Sequence, residues 1–495
     1  MEKDHAGEGG NAVPERCRWV LREYGRKFVA SLGRRIQQSD YIEKGVTDPI
    51  SEHEWEEVWK AAPKGKASDY HGTHNDLFKA MGKSVVHGKA RGGGRRDEEA
   101  QPPECKTLEL LHAFRRLVNV TLDTEVVCEQ WAQETLVTLP KVPGSMAIRN
   151  TRPIGLVAIL RNTMMGILSH RVQRVWAELK ALAALQHGFV KGQNGDQLRV
   201  RRIIVFELKF ETKGDVASGT KDEEHAFDTP PWGGLEMDLM RLAVPDKIIN
   251  LGAKCNEQAV MYIRVVGGHA EPMKRGQTWS ETEHAHRGAG NGCVQGGKES
   301  PTMTWVAHED FVLTYWEQTA IGIPVQTGDR SYGTVKGGGF ADDKSFLEEN
   351  PREMSRTYGV TNDVSELSGG VTNVKKSQVQ IQQYMRNWRG NITAAMPKER
   401  DDIEPVTMTV GAEGREETVP MVQADDSVVM LGEDGNVRCF WGAIVETAHI
   451  HAMRAAQIMR VSRMAGWLAT LFYKNCLGAA LKYKLKLASI AEREF

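Results

Sequence analysis

Residues 337–343 read GGGFADD: three glycines, an aromatic ring and two adjacent aspartates. Taken alone, an Asp-Asp pair is usually a solvated turn. The glycines ahead of it suit a strand that runs into a tight turn, which would hold Asp342 and Asp343 at the tip of a hairpin. Further upstream stand Asp222-Glu-Glu-His-Ala-Phe-Asp228 and the string GCVQGGKESP at 292–301. Phosphoryl transfer through two metal ions needs carboxylates from separate chain segments to converge on ions about 3.5–4 Å apart. A strand ending at Asp222 beside a hairpin carrying Asp342 and Asp343 would supply that cluster.

Outward from these segments the chain reads as α+β. A weakly ordered leader is expected to about residue 50. Ser51 then caps a helix, with Glu54 three residues on completing a capping box. Residues 87–103, HGKARGGGRRDEEAQPP, cannot bury a core and read as a flexible insertion. From 105 to 180 the pattern is helical around one extended piece, Thr135–Pro140. Met165, Leu168, Val172, Val175 and Leu179 repeat with the helix period. Beyond 210, Gly- and Thr-rich stretches alternate with short apolar runs, which suggests strands joined by long loops. Residues 207–220 and 266–290 look like insertions. The last 55 residues return to helical periodicity.

Bulk numbers bound the function loosely. The 495 residues suffice for two or more packed subdomains, and 40% hydrophobic with 26% charged residues is ordinary for a globular protein. A net charge of −1 gives no global attraction for nucleic acid, so any such binding must come from local positive charge. Seven cysteines are scattered with no CxxC, against a disulfide framework or a zinc knuckle. The start, MEKDHAGEGG, is no signal peptide. The apolar run Met464 to Leu481 is broken by Lys474 and Asn475, too polar to span a bilayer. An intracellular chain, nuclear or cytoplasmic, is expected. The pairs His284/His286 and His449/His451 have no third ligand at sensible spacing.

In chain order the three segments resemble signatures of reverse transcriptases, most closely the non-LTR (LINE-type) retrotransposon branch related to group II intron enzymes. D-x-x-x-A-F-D resembles that family's motif A, Q-G-x-x-x-S-P its motif B and F-A-D-D its motif C. KGKASD (64–69), TLPK (138–141) with TRPIGL (151–156), QHGFVKGQNGDQL (186–198), GGVTNVKKS (369–377) and VVMLG (428–432) are similar to further family elements in the family's order. Such an ordered set is far more specific than any single member.

The resemblance implies a right-hand polymerase fold: fingers over 51–215, a palm with an antiparallel sheet backed by helices over 216–440, and a partial thumb over 441–495. It implies an RNA-directed DNA polymerase that extends a DNA primer on an RNA template with deoxynucleoside triphosphates. Asp222, Asp342 and Asp343 would hold two magnesium ions, or manganese in their place. Phe227 would be a steric gate against a ribose 2′-hydroxyl. Gln295 and Gly296 would shape the floor under the nucleotide, with Ser300-Pro301 opening a helix whose stripe includes Val306 and Phe311. Arg152 and Lys141 would contact the triphosphate, and Lys376 the pyrophosphate. Arg199–Arg202 would join Lys141 and Arg152 in a basic lining. The chain departs from the family around motif A, where Thr220-Lys221 and Glu223 replace the usual apolar flanks. Two other readings share these residues: a decayed relative kept for RNA binding, and an RNA-dependent RNA polymerase. Against the latter stand the aromatic at 227 and Phe340-Ala in place of a glycine before the Asp pair.

Overall fold

The computed structural model describes most of residues 36–435, except 88–102, 142–150, 275–292, 396–403 and shorter gaps at 225, 231, 266–267, 294–295, 328–329, 368–369, 387–388, 412–413, 425, 427 and 431–432; beyond 435 it describes only 450, 453 and 457. The insertion expected at 87–103, the helical segment expected at 441–495, Gln295 and the four paired histidines therefore lie wholly or almost wholly outside the described residues.

Among the described residues the structure is α+β. Its helices are α1 (Gln38–Glu43), α2 (Glu52–Ala61), α3 (Asn75–His87), α4 (Pro103–Thr124), α5 (Ile159–Leu179), α6 (Gly195–Thr212), α7 (Trp232–Arg241), α8 (Asp246–Glu257), α9 (Trp305–Thr319) and α10 (Pro351–Leu367). The strands used below are β1 (Gln133–Pro140), β2 (Thr151–Leu156), β3 (Val216–Lys221), β4 (Val260–Val265), β5 (Gly337–Phe340), β6 (Asp343–Glu348) and β7 (Gln378–Arg386).

The helical first half packs around one core. Ser51 caps α2 as its sequence demands: Ser51 Oγ accepts from the Glu54 amide at 3.2 Å, and Glu54 Oε2 accepts from the Ser51 amide at 3.1 Å. Trp55 and Trp59 of α2 are buried, with Trp59 stacked on Phe78 at 4.4 Å. Met165, Leu168, Val172 and Val175 line the buried face of α5, while Leu179, at its last position, is exposed. Packing begins earlier than the leader boundary near residue 50. Tyr41, Val46 and Ile50 are fully buried, and Tyr41 Oη donates to the Leu242 carbonyl at 2.6 Å while accepting from Trp176 Nε1. A hydrophobic anchor with a satisfied hydroxyl fixes a segment that composition alone leaves loose.

Two sheets follow. In the smaller, β1 pairs antiparallel with β2 and parallel with β4. The larger has the order β5-β6-β3-β7, continued by Ile392–Ala395, with antiparallel neighbours along this path and Met421–Val422 added parallel to β7. In chain order this is β3, α9, the β5–β6 hairpin, α10, β7, a split β-α-β arrangement with β3 at the centre. No helix among the described residues is long and apolar enough to cross a membrane.

One expectation needs correction here. Residues 207–220 are no insertion, because they hold the end of α6 and nearly all of the central strand β3. Its small residues hide it from a hydrophobicity reading: a Cβ at Gly219 would lie 2.8 Å from the Tyr358 hydroxyl, so α10 packs directly on the strand backbone. The glycines at 337–339 form the strand β5 itself, which runs into the turn as expected. A Cβ would lie 1.9 Å from the Ser345 carbonyl at Gly337 and 2.9 Å from the Leu185 carbonyl at Gly338. The strand is squeezed between its partner and the 185–188 segment. That segment bonds along the edge of β5, His187 N donating to Gly339 O and Gly339 N to Leu185 O, each at 2.9 Å.

Candidate active site

The hairpin and the central strand bring the three aspartates to one end of the sheet. β5 and β6 close with Phe340 opposite Asp343, leaving Ala341-Asp342 as a two-residue turn. Lys344 pairs with Lys221 across β6 and β3, so the next pair outward sets Asp343 opposite Asp222. Ala341 takes the left-handed region at φ 58°, a conformation few non-glycine residues hold without surrounding support. Asp222 is held by its backbone: its amide donates to Ser377 Oγ at 3.2 Å, and its carbonyl accepts from Asn373 N at 2.9 Å. The same Asn373–Ser377 turn presents Lys376, whose Nζ lies 3.6 Å from Asp222 Oδ2 and is largely exposed.

Electrostatics couple the three acids. Burial raises the Asp222 pKa; Lys376 opposes the rise and the charge of Asp342 adds to it. Burial and the neighbouring charges of Asp342 and Asp222 push Asp343 up to about 6, with Lys344 opposing. Like charges thus crowd one strand end with too little positive charge near them, the condition a divalent cation relieves. Hard carboxylate oxygens are the donor chemistry magnesium takes. Among the described residues, no three His, Cys, Asp or Glu side chains stand together as a ready-made ligand set, so the carboxylates share a strand end without being drawn onto one point.

Behind the acids lies a buried ion network that sequence reading missed. Strand alternation turns Lys221 and Lys344 away from Asp222 and Asp343, and both lysine side chains are fully buried. Lys221 Nζ lies 3.0 Å and Lys344 Nζ 2.9 Å from Glu223 Oε1, and Lys344 Nζ also lies 3.1 Å from Glu309 Oε1 on α9. Ser365 of α10 donates to Glu223 Oε1 at 2.7 Å and accepts from Lys221 at 2.6 Å. Burial alone would raise Glu223, but Lys344 and Lys221 hold it far below its ordinary value. The polar flanks of Asp222 are therefore charges that neutralise one another inside the fold. Beside them, His308 Nδ1 sits 2.9 Å from Asp238 Oδ2, and Asp310 pairs with Arg241. The signal was present in WVAHEDFVL, where three consecutive titratable residues interrupt an apolar helix.

Phe227 lies in a short 3-10 turn, Ala226–Asp228, half-buried and stacked on Trp305 of α9 at 4.3 Å. Phe189 stands edge-on to it at 6.4 Å and tilts towards Phe340 at 6.5 Å. Phe189 has φ 56° and is 40% exposed, so Phe227, Phe189 and Phe340 form a chain of rings from the 226–228 turn to the hairpin. Gly296, at φ 142°, comes so close to β2 that a Cβ would lie 2.0 Å from the Gly155 carbonyl. Asn162 of α5 staples that contact, donating to Gly296 O at 3.3 Å and accepting from Lys298 N at 2.7 Å. Ser300–Thr304 then winds as a π-helical turn into α9, where Val306 and Phe311 are buried.

Lys141 and Arg152 sit at the far end of the β1–β2 hairpin, both exposed, with Arg152 opposite Leu139. Neither has an ion-pair partner among the described residues. Arg199 and Arg202 do not belong to an exposed basic lining, for each is only 6% exposed. Arg199 pairs with Asp196 at 3.0 Å and Arg202 packs over Phe206, because α6 turns this face inward. Scanned against protein-family models the chain matches none, and a search of curated proteins likewise finds no match.

Proposed function

We propose that this chain is an RNA-directed DNA polymerase of right-hand architecture, serving retrotransposition. One observation carries the reading: Asp343 faces Asp222 across adjoining strands while Asp342 occupies the neighbouring turn, at one end of a split β-α-β sheet. In this reading the β3-to-β7 region is the palm, and the helices before it with the β1–β2 hairpin are the fingers. The thumb is the helical segment read from the sequence after residue 440.

Asp222, Asp342 and Asp343 would hold two magnesium ions. When bound, these supply Lewis acidity at the primer 3′-hydroxyl and at the triphosphate oxygens. The chain's own residues do the rest. The buried Lys221–Glu223–Lys344–Glu309 network fixes the two strand ends that carry the acids. Phe227, braced by Trp305, fills the volume a ribose 2′-hydroxyl needs. Gly296 permits close approach of backbone to the nucleotide floor. Arg152 offers a planar, bidentate fork to phosphate, with Lys141 beside it as a point charge. Lys376, tethered to Asp222, is placed to bind the departing pyrophosphate or give it a proton.

The test is extension of a DNA primer on an RNA template with magnesium and deoxynucleotides. The wild-type chain extends the primer, and Asp342→Asn, which removes one charge at constant shape, abolishes extension while leaving the melting profile intact. Equal activity in the two proteins sinks the proposal.

A further inference from the structure

A cavity of about 440 Å³ opens on the small sheet, away from the aspartates and unused by the reading above. Its size falls in the range of ligand sites. Ser68, Tyr70, Thr135, Leu156, Arg264 and His269 line it. Tyr262 of β4 stacks on Tyr70 at 4.2 Å with planes 23° apart, fixing that ring as a wall. The His269 ring stands 5.5 Å from Tyr70, and Arg264 is paired with His269 across the strand turn. Asp69 also borders the space, but its oxygens accept from the His71, Thr73 and Ile159 amides, so its charge is engaged. The wall chemistry is two aromatic rings, three hydroxyls and an exposed guanidinium.

The sheet register connects this cavity to Arg152. Leu156 pairs with Thr135, and Thr135 with Tyr262, so these side chains share one face. Arg152 lies four residues before Leu156 on that same face, roughly 13 Å along the strand. Gly155, between them, abuts Gly296. We infer that this cavity takes an unpaired nucleobase of the template strand ahead of the active site, the base against Tyr70 and His269 and its phosphate at Arg264. Aromatic faces bind bases irrespective of sequence, and a guanidinium serves the backbone, which is what an incoming single strand requires. The inference rests on the polymerase reading for the identity of the strand.

The test uses the full chain and two fluorescent RNA–DNA duplexes, one with a four-nucleotide template overhang and one blunt. Tyr70→Ala and Arg264→Gln should each weaken binding of the overhang duplex by about tenfold and leave blunt-duplex binding unchanged. Arg264 is exposed, so its variant reports even if Tyr70→Ala fails to fold. A 4-thiouridine in the overhang should crosslink to Tyr70 or His269. Equal losses on both duplexes, or no loss for Arg264→Gln and no crosslink, overturn the inference. Primer extension by the same proteins separates the two ideas. Extension with an unaltered overhang preference leaves the polymerase reading standing and removes the pocket. An overhang preference without extension does the reverse.

Discussion

Gly188 lies beneath the Ala341-Asp342 turn so closely that a Cβ placed on it would come within 2.1 Å of the Ala341 backbone nitrogen. The neighbouring Phe340 carbonyl carbon would be 2.9 Å away. Backbone cannot yield as a flexible side chain does, so Gly188→Ala must displace the hairpin tip that carries Asp342. The expected cost is about 1–3 kcal/mol of stability. Primer extension should fall by more than that loss explains, on the order of a hundredfold, because small misplacements of reacting groups cost that much. Unfolding curves and extension rates measured on the same preparation check it; wild-type extension would show that the hairpin tip is not held from below.

The buried network makes a second prediction. Lys344→Met leaves Glu309 buried without its nearest cation and should destabilise the chain by about 3–5 kcal/mol. The double substitution Lys344→Met with Glu309→Leu removes both charges and should cost clearly less than the two single changes added together. Urea unfolding of the four proteins measures the coupling. Strict additivity would mean that the two side chains do not sense each other.

Asp343 predicts a pH dependence of known sign. Its pKa rises in the folded chain from 3.8 to about 6, so the folded state holds the proton more tightly. This contribution to stability is complete below about pH 4 and is lost as pH rises through 6. At neutral pH the ionised group is a burden. Its exposed outer side lets solvent screen part of that burden. Asp343→Asn should therefore stabilise the metal-free chain by about 1 kcal/mol at pH 7.5 and change little at pH 4. Chemical denaturation at the two pH values checks the sign, and a destabilising effect at pH 7.5 contradicts it.

Phe227 predicts a change in sugar selectivity. Trp305 stacks on one face of the ring and braces it in place. Phe227→Ala should raise ribonucleotide use relative to deoxynucleotide use by about tenfold or more, each factor of ten corresponding to about 1.4 kcal/mol. The ratio of single-nucleotide efficiencies is the quantity to measure. If wild type discriminates and the variant keeps the same ratio, Phe227 is a packing residue alone.

Legibility from sequence followed local chemistry. The capping box at Ser51, the stripe on α5 and the FADD hairpin could be read because each is written in adjacent or helix-spaced residues. A strand ending at Asp222 was expected, but its extent was not legible, since VASGTK has little apolar signal and owes its place to Tyr358 and Met354 packing on its backbone. The ion network of Lys221, Glu223, Lys344 and Glu309 was not legible because most of its partners are remote in sequence. Arg199 and Arg202 looked exposed for the same reason: nothing local reveals which face of α6 turns inward. Carboxylate candidates were visible as motifs, whereas the register that sets Asp343 opposite Asp222 belongs to the folded sheet.

The proposed function depends on a two-ion centre at the end of β3 and the β5–β6 turn. Anomalous diffraction from crystals grown with primer–template, a non-hydrolysable deoxynucleotide and manganese locates such ions. Two anomalous peaks are expected about 3.5–4 Å apart, bounded by the carboxylates of Asp222, Asp342 and Asp343. Ions found elsewhere, or Asp222 and Asp342 carboxylates that stay more than about 8 Å apart with nucleotide bound, would contradict it.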